Sequence, residues 1–140
     1  MSWDVMIFNF GDKAPLTIES VNESDLKPLG PADDVRQRIS RFLPGVDWTD
    51  PTWGLFGGDG FSIEFSVGDK DPIGNIMLHV RGGGEAIAAI MSFARPLGWW
   101  AYDCSTGDFL DPQHPSQAGW EGFQRYRDKI ITHSNDEDGG

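Results

Sequence analysis

The segment FSIEFSV alternates strictly: Phe61, Ile63, Phe65 and Val67 are apolar, whereas Ser62, Glu64 and Ser66 are polar. Successive side chains of a strand point to opposite faces, so the pattern predicts a strand with one core face and one solvated face. It recurs after the turn segment GDKDPIGN, where Ile76, Leu78 and Val80 take the core side and Met77, His79 and Arg81 the other. Upstream, GGDG at 57–60 is rich in residues that tolerate positive φ and joins a short strand at Trp53–Phe56 to Phe61 as a hairpin. Three such strands form an antiparallel meander with one comparatively polar face.

The remaining periodicities place helices and further strands around this meander. Val35, Ile39, Phe42 and Leu43 fall at i, i+4, i+7 and i+8, behind Asp33 or Asp34 as cap and ahead of the stop Pro44-Gly45. In Glu85–Leu97, the residues Ile87, Ile90, Met91, Ala94 and Leu97 make a wide apolar stripe, with Pro96 and Gly98 expected to end the helix. A last helix after Pro115-Ser116 carries Trp120, Phe123, Tyr126 or Arg127, and Ile130 at helical spacing. WDVMIFNF, from Trp3 to Phe10, and WWAYDC, from Trp99 to Cys104, are apolar or aromatic at nearly every position and read as strands covered on both faces. Gly11–Pro31 reads as a long connection and Asp47–Pro51 as a loop; STGD reads as a turn and FLD as a short returning strand.

The expected order β-α-β-β-β-α-β-α describes an α+β domain, a mainly antiparallel sheet with its helices packed on one face. The expected limits are one domain over residues 1–133 and a disordered acidic tail, SNDEDGG, over 134–140. At 140 residues the chain is long enough to bury a core without disulfides or a structural metal.

Charge narrows the partners. The formal net charge is -11, and even without Asp136, Glu137 and Asp138 the body carries about -8 (-11 plus 3). Nucleic acid is therefore a poor partner, because phosphate neutralisation needs a basic patch. A basic protein is the expected class, with association steered by charge and weakened by salt. The absence of a long apolar run or a signal-like N-terminus leads to the expectation of a cytoplasmic protein without membrane contact. The single cysteine fits a reducing compartment.

The sequence offers few chemical motifs. VRGGGE lies between a strand and a helix, but it lacks GK[ST], does not space its glycines as GxGxxG, and places Glu85 where an anion would sit. His79, His114 and His133 show no paired spacing of a metal site, so neither metal nor cofactor is expected. Cys104, beside Asp103, is a candidate nucleophile with His114, the nearest in sequence, or His79, on a neighbouring strand face, as base, although Asp103 and Asp108 disfavour a thiolate. Glu64, His79 and Arg81 are candidates to share the polar sheet face, either as cross-strand pairs or as a binding spot, according to a register that the sequence does not determine. Trp48, between Asp47 and Asp50, has the look of an aromatic anchor ringed by carboxylates.

The opening Trp3-Asp4-Val5, the helix end Gly98-Trp99 and the segment DCSTGDFLD from Asp103 to Asp111 resemble a family of short bacterial proteins of unassigned function. The likeness runs from the first strand to the last helix, and its motifs are structural. Size, acidity and α+β build are also similar to those of bacterial immunity proteins, which bind and block a toxin. The reading that follows is a non-enzymatic binding protein, an immunity-type inhibitor of a basic protein. Its contact residues are expected among Trp48, Asp47, Asp50, Glu64, His79, Arg81, Asp103, Asp108 and Asp111. The rival is a small-molecule-binding protein or hydrolase-like enzyme with a pocket near Asp103, Cys104 and His114, or near Glu64, His79 and Arg81.

Overall fold

A computed structural model of the chain describes residues 1–15 and 17–139, with the side chains of 132–139 excepted. The elements are β1 (Trp3–Phe8), α1 (Ala32–Phe42), β2 (Asp47–Asp50), β3 (Trp53–Gly57), β4 (Phe61–Ser66), β5 (Ile76–Gly82), α2 (Ala86–Leu97), β6 (Trp100–Asp103), β7 (Asp108–Phe109) and α3 (Ala118–Gly139). The strands make one antiparallel sheet in the order β2-β3-β4-β5-β1-β6-β7. The expected α+β architecture is the one found. The expectation for 134–140 falls outside the described side chains and, at Gly140, outside the described residues.

Each strand shows its alternation as burial. Trp3, Val5 and Ile7 of β1, Ile63 and Phe65 of β4, and Ile76, Leu78 and Val80 of β5 are buried on one face, together with Val35 and Ile39 of α1 and Ile87, Ile90 and Phe93 of α2. Burying an aliphatic or aromatic side chain of this size contributes roughly 1.5–3 kcal/mol, so this layer of sheet and helices dominates stability. Trp120 fixes α3 to the same face through Trp3, their ring centroids 5.4 Å apart. At the end of α2, Gly98 adopts φ 70°, and Trp99 N donates to Ala94 O at 2.9 Å, closing the helix in a left-handed cap.

Several expectations are corrected. Asp47–Asp50 is a strand on the sheet edge, not a loop, because it pairs with β3 at Asp47–Leu55 and Asp50–Trp53. Ahead of α1 the exposed amide of Ala32 donates to Asp71 Oδ1, at 3.1 Å, from a distant turn; Asp33 and Asp34 lie within the first turn and do not cap it. Phe42 points away from the core and is exposed, while Leu43 turns inward. Pro96 is inside α2, which runs to Leu97. Tyr126 is exposed; Arg127 takes the inward position, its Nη1 donating to Gly82 O.

The largest correction concerns cover. Among the described residues α1, α2 and α3 lie on the face that carries Trp3 and Phe65, and no helix lies over the opposite face of β1 and β6. Asp4, Met6 and Phe8 of β1, and Trp100 and Tyr102 of β6, are half-buried rather than buried.

Candidate functional site: the uncovered sheet face

Strand register orders the uncovered face into two parallel rows. The first joins Trp53, Ser66, Met77, Met6, Tyr102 and Phe109, one residue from each of β3, β4, β5, β1, β6 and β7 in direct cross-strand contact. Asp50 extends this row at the β2 edge. The second row joins Asp47, Leu55, Glu64, His79 and Asp4. Rows two residues apart along a strand lie roughly 7 Å from each other. One row is therefore aromatic and thioether-rich, and the row beside it is acidic.

Side-chain contacts hold the acidic row in place. His79 Nδ1 lies 2.9 Å from Asp4 Oδ1, which also accepts from Ser2 Oγ. The His79 ring stacks on Trp53 with centroids 5.6 Å apart and planes 20° from parallel. Arg81 Nη1 lies 2.7 Å from Glu64 Oε1, a charge contact without hydrogen-bond angles, and Arg81 Nε donates to Met1 O at 3.1 Å. The expected group of Glu64, His79 and Arg81 thus comes together as two neighbouring contacts, Arg81 with Glu64 and His79 with Asp4. Sequence reasoning missed Asp4, Trp53 and the whole aromatic row, since these residues meet only through long-range register. The polar Asp4 inside an otherwise apolar strand was the one local signal.

Asp103 belongs to a different environment. It is 1% exposed, and its Oδ1 accepts from Trp3 Nε1 at 3.0 Å, from Ser105 N at 2.9 Å and from Ser105 Oγ at 2.6 Å. Its Oδ2 faces Gly119 in the first turn of α3, so closely that a Cβ there would collide with it. The carboxylate is solvated by turn and indole N–H groups and by the positive end of a helix. Asp103 is therefore not part of an acidic rim. Asp108 pairs with it across the β6–β7 turn and is exposed, as is Asp111, whose Oδ1 accepts from Gln113 N.

Beside this turn lies a groove of about 560 Å³ whose lining includes Met1, Asp4, Cys104, Thr106, Gly119 and Tyr126. Cys104 is exposed on its wall, and partial burial of the thiol, with the carboxylates of Asp4 and Asp103, pushes its pKa up. His114 is exposed in the segment before α3, and among the described residues no hydrogen bond joins it to Cys104 or Asp103. The geometry does not assemble a nucleophile, base and acid from these three. Cys104 is expected to react with alkylating reagents more slowly than free cysteine at neutral pH, with its rate rising only at higher pH. A rate above that of free cysteine would show a stabilised thiolate and contradict this environment.

Trp48 is not an exposed anchor. Its Nε1 donates to Ser40 Oγ at 2.9 Å, its ring centroid lies 5.8 Å from that of Phe65, and it covers Gly54. A Cβ at Gly54 would come within 2.5 Å of the indole, so Trp48 closes the core under α1. Asp47 and Asp50 remain exposed, and hydrogen bonds from the Thr49 and Thr52 hydroxyls and amides hold both below the usual carboxylate range. Among the described residues no group of three or more His, Cys, Asp or Glu is placed to hold a metal ion, and no helix is long and apolar enough to cross a membrane.

Fold and site together define a two-layer α+β domain that covers one sheet face with helices and presents the other. No protein-family model, curated protein or solved structure gave a significant match to the chain.

Proposed function

We propose that the chain is a non-enzymatic binding protein for a basic protein partner, acting in the manner of an immunity-type inhibitor, and that the uncovered sheet face is its contact surface. The observation that carries this reading is the apolar row on a face that the chain itself leaves open. Trp53, Met77, Met6, Tyr102 and Phe109 are side chains of the kind enriched at the centres of protein interfaces. The acidic row beside them and the net charge of -11 favour a cationic partner and rapid association at low salt.

A photo-crosslinking amino acid at position 77, on this face, is compared with one at position 88, on the exposed side of α2. In cells of the source organism, position 77 is expected to trap a basic protein and position 88 is not. The adduct is expected to fade when lysates are brought to about 1 M salt before illumination, where charges are screened within roughly 3 Å. Equal trapping from both positions, or none from position 77, would overturn the reading.

A further inference from the structure

Resting on that reading, we propose that the element seated on the uncovered face is an amphipathic basic helix lying across the strands, its apolar stripe on the Trp53–Phe109 row and a basic flank over Asp47, Glu64 and Asp4. The row spans five strand intervals, roughly 24 Å at about 4.8 Å each. A helix of about 16 residues has that length. The two rows differ in character and lie roughly 7 Å apart, which matches an apolar stripe and its neighbouring flank on one helix of about 10 Å diameter. An extended strand has no equivalent means of facing both rows, because its alternate side chains point away from the sheet.

Charge complementarity sets the orientation. Asp47 and Asp50 stand exposed at the β2 end, and both stay anionic wherever Lys and Arg are cationic. At the other end, Tyr102 and Phe109 pack edge to face with centroids 5.3 Å apart, and Trp100 and Phe8 flank Phe109. The basic flank is therefore densest near β2 and β4, and the largest apolar residues of the helix fall over β1 and β6.

The test uses a fluorescent helical peptide of about 16 residues, with leucines on one stripe and lysines on the flank, against the full chain. A lysine-serine peptide of equal charge is the comparison. The leucine-lysine peptide is expected to bind at least tenfold tighter than the lysine-serine one. Met6→Glu is expected to weaken it at least tenfold although the variant is more acidic, whereas Ala88→Glu, the same added charge on α2, leaves binding unchanged. Glu64→Gln with Asp47→Asn is expected to weaken it severalfold and flatten its salt dependence. Circular dichroism of each variant confirms that the fold persists. Equal binding of the two peptides, or a Met6→Glu variant that is folded and binds as wild type, would overturn the helix proposal. If the peptide fails while crosslinking from position 77 succeeds, the helix is wrong and the binding reading stands. If both fail, the binding reading falls as well.

Discussion

Asp103→Ala is expected to lower the stability of the domain by about 3 kcal/mol or more, measured by urea denaturation at neutral pH. Four donors, Trp3 Nε1, Ser105 N, Ser105 Oγ and, at 3.4 Å, Thr106 N, converge on a single carboxylate oxygen. A buried donor left without a partner costs about 1–3 kcal/mol; Trp3 Nε1 is buried, and the donors of the turn are partly so. Asp103→Asn keeps the acceptor oxygen and is expected to lose less, but it removes the charge that faces the first turn of α3. An alanine variant within about 0.5 kcal/mol of wild type, the scatter of ordinary surface substitutions, would show that the β6–β7 turn and α3 do not depend on this carboxylate.

Trp120→Ala is expected to be costlier, about 3–5 kcal/mol, the range for removing a buried aromatic side chain. Trp120 is 1% exposed, its ring stacks on Phe123 at 5.7 Å and meets Trp3 at 5.4 Å, and its Nε1 donates to Gly84 O at 2.9 Å. It is the main apolar attachment of α3 to the sheet. Trypsin is therefore expected to cut the variant at Arg125 or Lys129 under conditions in which the wild type is resistant, before the sheet itself unfolds. Simultaneous loss of both, or an uncut helix in a destabilised variant, would show that α3 and the sheet unfold as one unit.

The parts legible from sequence are those whose signal is local. The alternation in FSIEFSV and NIMLHVRG places β4 and β5 and sorts their faces, and the Gly98 cap needs only neighbouring residues. That β4 and β5 are neighbours follows from their succession along the chain, but the register that sets Glu64 against His79 passes through the intervening segment 67–75 and is seen only in the fold. The order of β5, β1 and β6 is not written locally: the partners of β1 lie from 69 (Ile7–Ile76) to 98 (Val5–Asp103) residues away, so Asp4 against His79 and Met6 against Tyr102 emerge only from register. Asp103 and Trp48 mislead for a different reason. Residue type alone places an aspartate outside and leaves a tryptophan between two aspartates on a loop, whereas here the aspartate is the buried acceptor of an exposed turn and the tryptophan fills a gap left by Gly54. The double-sided apolar character of WDVMIFNF predicts cover on both faces, and the helices cover one.

The two edges of the sheet limit how such a face can be used. β2 carries the exposed carboxylates Asp47 and Asp50, and β7 is only two residues long. A charged edge and a very short one both resist further strand addition. Growth in the plane of the sheet is thereby disfavoured at either side, and the proposed partner approaches the face rather than an edge. On the proposed reading, a partner seated on this face adds a layer to the sheet rather than a strand, and the complex does not extend along the sheet edges.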